Sequence, residues 1–383
     1  MITSAFTHIT SLLQHTFFIL LGLLGMGFLI GFHELGHFLF AKLFKIRVPS
    51  FSLGFGPVII SKKIGETDFC LSAIPFGGYV EIAGAAEVGQ GEQKEALATD
   101  ERSFAVKPFY QKLFVMLGGI LFNLIFAYVA MIIIFMAGVP KTPLMPNDPT
   151  ISAVHRESAA EKNGLQVGDR IISINQEKIG QNIQKIQQMV QPLALKEATI
   201  VIERNGETFT KTIIIGSKQT ETETVGILGA EFEFSPTPPH SFKDAFIMGI
   251  KTCNTWIKNT FAGFSTLFSK KGVSQVAGPV AIIAMTIKGA AAGWQIFMLL
   301  LAIISINLAV LNLIPLPILD GGQILFYGIE ALIRRPLPHK VREYIHIGTW
   351  ILFIILFIYL TAQDIGRIFG PYGDSILKFF KIK

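Results

Sequence analysis

The chain has 383 residues, of which 51% are hydrophobic and only 16% charged, and its mean hydropathy is +0.52. That balance excludes an ordinary soluble domain and describes an integral membrane protein with room for one soluble domain. The net charge of +6 does not describe a nucleic-acid binder, because Lys and Arg cluster beside the apolar runs and no basic stripe with interleaved aromatics occurs.

Residues 1–45 form the first predicted span. No Lys or Arg precedes Lys42, so a retained span is expected and not a cleaved signal. The apolar run Leu20–Phe44 carries His33, Glu34 and His37 as H-E-x-x-H. On a helix this places two imidazoles one turn apart on one face, the spacing one tetrahedral zinc ion can bridge, with Glu34 beside the first to take a proton from water. Three ionisable groups within five residues of a lipid-fit segment are expensive there, which marks them as functional. Lys42, Lys45 and Arg47 put the far end in the cytoplasm and the N-terminus outside. At 1.5 Å per residue, His37 lies about 7 Å and His33 about 13 Å from Lys42 along the axis, so the metal is expected inside the bilayer near the cytoplasmic face.

Residues 46–105 change character. Two β-rich stretches flank K-K-I-G-E-T-D and read as a hairpin. Phe51, Leu53, Phe55, Ile74, Pro75 and Phe76 make it apolar enough to dip into the membrane face, and Gly84–Arg102 reads as a polar cytoplasmic loop. Residues 106–140 hold the second span, about Phe109–Val139, with Lys107 and Lys112 at its inner end. Gly118, Gly119 and Asn123 in it are assigned to helix packing.

Residues 141–235 are polar, hence soluble and on the outer side by the span count. Asn163–Asn175 carries GL-x-x-GD-x-I-x-x-I, followed by a helical stretch Gln181–Val190 and strands Thr199–Arg204 and Phe209–Ile215. The pattern resembles a PDZ domain of the bacterial protease type, a peptide-strand binder or a steric gate. In residues 236–292, apolar positions from Phe242 to Phe268 recur at helical spacing between lysines, as in amphipathic helices lying on the outer membrane surface. Residues 273–290 read as a re-entrant or surface helix. By this topology Cys70 and Cys253 lie on opposite sides and cannot bond, and neither belongs to a C-x-x-C pair.

Residues 293–322 hold the third span, which ends in Asn312-Leu-Ile-Pro-Leu-Pro-Ile-Leu-Asp-Gly-Gly322. Pro315 and Pro317 stop the helix. Asp320 then stands at the cytoplasmic end of a span, about the depth of His33 and His37, and supplies the carboxylate of a two-histidine catalytic zinc site. The plainer role for Asp320 is a cap on the helix beginning near Gly321. Residues 323–343 are a cytoplasmic loop with a short helix, and residues 344–383 hold the fourth span and a basic tail.

H-E-L-G-H at 33–37, the PDZ-like segment and N-x-x-P-x-P-x-x-D-G from Asn312 together resemble the site-2 protease family, in particular bacterial regulator-of-sigma-E proteases with a PDZ insert. Soluble metzincins do not fit, since Phe40 and Leu43 stand where their longer motif needs Gly and His. The resemblance implies a polytopic α-helical protein with four transmembrane helices, a membrane-associated β-hairpin or sheet and one inserted soluble α+β PDZ-like domain. It implies one Zn2+ per chain held by His33, His37 and Asp320, Glu34 as catalytic base, and substrate contacts from Asn312, Pro315, Pro317, Gly78 and Tyr79. The expected activity is intramembrane endoproteolysis of single-span proteins, such as anti-sigma factors and remnant signal peptides, already cut on the periplasmic side. The expected place is the bacterial inner membrane, with both termini and the PDZ-like domain periplasmic. Two rival readings are a zinc transporter, which needs no base beside a ligand, and a catalytically silent adaptor working through the PDZ-like domain.

Overall fold

The computed structural model describes residues 2–85, 95, 98–142, 144, 149–180, 183–219, 224–232, 236–267, 276–335 and 337–369. Most of the expected polar loop, Gln181, Phe234, Phe268, residues 273–275 and the basic tail beyond 369 lie outside the described residues. The chain forms two compact units, one from Met1–Ala137 with His240–Lys383 and one from Gly138–Pro239. Among the described residues, four helices are long and apolar enough to cross a membrane, all in the first unit.

The first unit opens with α1 (Ile2–Leu43). Lys45 takes a left-handed conformation (φ 56°) beyond its end, while the Lys45 and Ile46 N–H groups donate to the Lys42 and Ala41 carbonyls at 3.0 and 2.9 Å. That paired closure satisfies the last carbonyls and turns the chain back toward the helix. Strands β1 (Ser50–Ile64) and β2 (Thr67–Glu81) follow. Their tip, Ile60–Ile64 against Thr67–Leu71, is the expected hairpin. Beyond it, Ser50–Leu53 lies between two stretches of β2, running alongside Asp68–Leu71 and opposite to Gly78–Glu81. Of the two expected forms, hairpin or sheet, the region is therefore a folded sheet of four short segments in the order 78–81, 50–53, 68–71, 60–64. Gly54, Gly56 and Gly77, all at positive φ, supply the bends that let both strands double over. Phe38 of α1 packs edge-on to Phe51 and Phe69, with ring centroids 5.5 and 5.6 Å away, and so fastens the sheet to the helix. Helix α2 (Phe109–Ala137) then crosses α1, where a side chain at Gly36 would run into the Gly118 carbonyl, so both glycines are required by the close approach.

The second unit contains β3 (Ile151–Val154), α3 (Ala159–Lys162), β4 (Arg170–Ile174), β5 (Glu177–Lys178), α4 (Ile183–Val190), β6 (Glu197–Arg204), β7 (Glu207–Ile214), β8 (Gly216–Gln219), β9 (Thr224–Ile227) and β10 (Ala230–Phe232). A four-stranded sheet runs β5-β4-β6-β7, with β3 paired to β10 and β8 to β9. Asn205-Gly206, at φ 52° and 85°, makes the two-residue turn between β6 and β7. Ile200 and Ile202, and Ile213 and Ile215, alternate into its core, and Ile171 and Ile174 reach it from either side of an irregularity in β4. Asp169 is fully buried and accepts two hydrogen bonds from Arg204, at 2.6 and 2.8 Å, and one from the Gln166 N–H at 2.9 Å. The GD of the sequence pattern thereby holds its own loop to the end of β6.

The first unit resumes with α5 (Phe242–Leu267), α6 (Pro279–Ala291), α7 (Trp294–Asn312), α8 (Asp320–Ile333) and α9 (His339–Phe369). The reading of residues 242–268 as helix lying on the outer surface is corrected, because α5 packs along α2 and α7. A side chain at Gly249 would press on Ile132, the Cys253 thiol donates to the Ala127 carbonyl at 3.5 Å, Tyr128 donates to Asn254 at 2.6 Å, and Thr260 to Asn307 at 2.8 Å. Polar groups of α5 thus hydrogen-bond neighbouring helices. Helix α6 is too short to span a bilayer and packs on α1, α7 and α9. Its first turn receives Asp364 of α9, which accepts from the Gly278 and Ala281 N–H groups at 3.1 and 2.8 Å.

Candidate metal centre

His33 and His37 project from one face of α1, with their Nε2 atoms 3.1 Å apart. The turn after α7 ends in extended backbone at Leu319, and α8 starts at Asp320 with no side-chain cap. The capping role for Asp320 is therefore not the one seen. Its Oδ2 stands 3.3 Å from His33 Nε2 and its Oδ1 3.6 Å from His37 Nε2. One ligand atom from each residue lies within 4.8 Å of the others.

Zinc bonds of about 2.0–2.1 Å to nitrogen and oxygen set a tetrahedral edge of about 3.3 Å, close to the 3.1 Å between the imidazole nitrogens and the 3.3 Å from His33 Nε2 to Asp320 Oδ2. Asp320 Oδ2 is buried and accepts no hydrogen bond among the described residues, although His33 Nε2 is near. His37 Nδ1 donates to the Val115 carbonyl at 2.7 Å, which leaves the Nε2 lone pair facing Asp320. These groups fit a zinc ion.

Helix α2 closes the site from the other side. A side chain at Gly119 would strike the rings of both histidines at 2.5–2.6 Å, so only glycine lets the helix approach them. Asn123, fully buried, places Nδ2 3.1 Å from His33 Nδ1, and its Oδ1 has no hydrogen-bond partner among the described residues. Ser305 of α7 holds the Asn123 carbonyl at 2.9 Å. The sequence alone assigns Asn123 to helix packing, and the structure adds its contact with His33. The available signal was its spacing, one turn after Gly119 and so on the same face. Val115 acts through its backbone, which no residue type announces.

Glu34 lies beside the sheet. The Val80 N–H faces its carboxylate, and a side chain at Gly78 would come 3.5 Å from its Cγ and 2.8 Å from the Ser52 carbonyl. Tyr79 stacks on Phe55 at 6.4 Å. Asn312 Nδ2 reaches within 3.4 Å of His33 Nε2. Pro315 is exposed, and the Pro317 carbonyl accepts from Gln323 at 2.7 Å. The structure thus gathers His33, His37, Asp320 and Asn312 in one cluster and sets Gly78 against Glu34. The two prolines shape the turn between α7 and α8.

The model of peptidase family M50 matches residues 21–356. A Campylobacter jejuni protein provisionally named zinc metalloprotease Cj1068 is 33% identical over 356 residues, covering 90% of this chain and 92% of its own. A Nostoc protein with the same kind of name, all3971, is 32% identical over 88% of this chain and 92% of its own. The zinc metalloprotease RasP of Geobacillus kaustophilus is 28% identical over 90% of this chain and 96% of its own. The match runs from before His33 to beyond Asp320, and the chain belongs to peptidase family M50, the site-2 proteases, as a multi-pass membrane zinc metalloprotease.

Proposed function

We propose that this metalloprotease hydrolyses peptide bonds within transmembrane segments of single-span proteins, with His33, His37 and Asp320 holding one zinc ion and Glu34 as its base. The observation that carries the reading is the meeting of a spanning-helix histidine pair with Asp320, next to the backbone of Gly78–Val80. When bound, the zinc ion supplies Lewis acidity toward the scissile carbonyl and water. Glu34 takes the proton of the attacking water and returns it to the leaving amine. An intact substrate helix hides its carbonyls in its own hydrogen bonds, so it must be drawn out before cleavage. Segment 78–81, outermost in the sheet, offers backbone groups for strand addition, and Gly78 keeps that track clear of side chains beside Glu34. Asn312 would hold the substrate near His33, with Pro315 and Pro317 keeping the turn open for it and Tyr79 lining the strand.

Lys42, Lys45 and Arg47 after α1, Lys107 and Lys112 at the start of α2 and Lys340 and Arg342 at the start of α9 support an inner-membrane topology with the site near the cytoplasmic face and both termini outside, while Arg367 and the basic tail count the other way but weigh less than the first helix. Residues 141–235 are assigned to a single PDZ-like domain that gates access, favouring substrates already shortened outside. By family resemblance these include anti-sigma factors and remnant signal peptides.

The test is Glu34→Gln in the full chain, reconstituted with a model transmembrane substrate. Zinc content should be unchanged and cleavage should fall by about 10²–10⁴-fold. Cleavage at the unaltered rate would remove Glu34 from the chemistry, and a chain that moves zinc across vesicles without cutting would favour a transporter.

A further inference from the structure

Away from the histidines, the N-terminal ends of α2 and α9 and the C-terminal half of α8 border a cavity of about 580 Å³. Among the described residues five cations line it, Lys107, Lys112, Arg334, Arg335 and Arg342, against one carboxylate, Glu330. Glu330 offsets only part of that charge, through a long ion pair with Arg342. Its Oε1 accepts the Leu337 N–H at 3.0 Å and stands 4.0 Å from Arg342 Nη1, beyond hydrogen-bond reach.

The Arg342 guanidinium is set against Phe326 and Tyr327, 5.5 and 5.1 Å from their centroids. The Lys112 ammonium lies 5.2 Å from the same Tyr327 ring and donates to the Ala105 carbonyl at 2.9 Å. Ring contacts hold a guanidinium in place without accepting its in-plane N–H groups. Arg342 Nε and Nη2 are buried, and neither has a hydrogen-bond partner among the described residues. Buried charged donors without an acceptor are costly, and two helix N-termini add to the positive field. The group that answers all of this is a compact anion with several acceptor oxygens, which an arginine fork reads well. The cavity also sits at the ends of two membrane-crossing helices, the level of lipid phosphates.

We infer that this cavity is a binding site for a phosphate group, carried by an anionic lipid headgroup or free in solution. A phosphate there bridges Lys107 and Lys112 at the start of α2 to Arg342 of α9, whose guanidinium rests on Phe326 and Tyr327 of α8.

The test uses the full chain, delipidated in neutral detergent and offered phosphatidylglycerol, phosphatidylcholine of the same chains, or inorganic phosphate. Retained lipid is read by native mass spectrometry and stability by the thermal unfolding midpoint. Phosphatidylglycerol should be retained over phosphatidylcholine and raise the midpoint. That preference should fall about tenfold or more in Arg342→Gln and in the triple variant Lys107→Gln, Arg334→Gln, Arg335→Gln. The triple variant removes charge without touching the Phe326 and Tyr327 packing. A midpoint raised by inorganic phosphate, with the lipid displaced, would identify free phosphate as the source. A response to the lipid alone would identify the headgroup. Equal retention of both lipids with no response to phosphate, or an undiminished preference in both variants, would overturn the site.

Discussion

His33 needs a fixed tautomer to offer Nε2 to a metal, and Asn123 is the group that can fix it. With its amide turned by half a rotation, Oδ1 would accept the His33 Nδ1–H and leave Nε2 free for the metal. Asn123→Ala should therefore weaken zinc binding by about 10–100-fold, measured by competition with a chromogenic chelator, while Asn123→Asp, which keeps an acceptor, should recover most of it. Unchanged affinity in the alanine variant would reduce Asn123 to packing. The same logic separates the two roles weighed for Asp320. A capping carboxylate would accept the N–H groups of its own helix, yet this one leaves Oδ2 bare and turns to the imidazoles.

At the scale of elements, hydrogen bonds between segments decide where apolar patterns end up. The mixed pattern of α5 is equally compatible with a membrane surface and with a crowded helix contact, and Gly249, Cys253 and Thr260 settle it by fitting α2 and α7. In the second unit the loop before β4 is tied by Asp169. Burial pushes its carboxyl up, but the Arg204 guanidinium and the Gln166 N–H outweigh that and hold it below the usual carboxylate range. The folded value is thus depressed relative to the unfolded one, near about 3.9, so the stabilisation is fully present above that pH and is lost as pH falls through the folded value. Pulse proteolysis of the full chain in urea, read on fragments from 138–239, should show a steady midpoint between neutral pH and about pH 5 and a drop below about pH 4. Asp169→Asn should flatten that drop. An equally steep drop in this variant would place the acid sensitivity elsewhere.

At the scale of the whole molecule, the second unit is an insertion with adjoining ends. The Val139 N–H donates to the Thr237 carbonyl at 2.8 Å and the Thr237 N–H to the Val139 carbonyl at 2.9 Å. Replacing residues 141–235 with a short Gly-Ser linker should leave zinc content unchanged, because His33, His37 and Asp320, the proposed zinc ligands, all lie in the first unit. If the insertion gates substrates, cleavage of a substrate with an intact outer domain should rise in this variant relative to wild type, while a pre-trimmed substrate is cut as before. No gain on the intact substrate would remove the gating role.

The sequence alone was enough for family, metal and membrane class, because those rest on local signals: apolar runs of spanning length and two motifs whose residue types and spacing are themselves the chemistry. The bent strands, the docking of α5, the Val115 carbonyl and the place of Asn123 were settled only when the chain closed on itself. Each depends on which backbone or amide group lies opposite another across tens of residues, and such pairings leave no periodicity to read. The meeting of Asp320 with His33, 287 positions away in the numbering, is the sharpest case. Each motif was legible, but the 3.3 Å between them exists because Gly36, Gly118 and Gly119 let α2 lie close enough to α1 for α8 to complete the cluster.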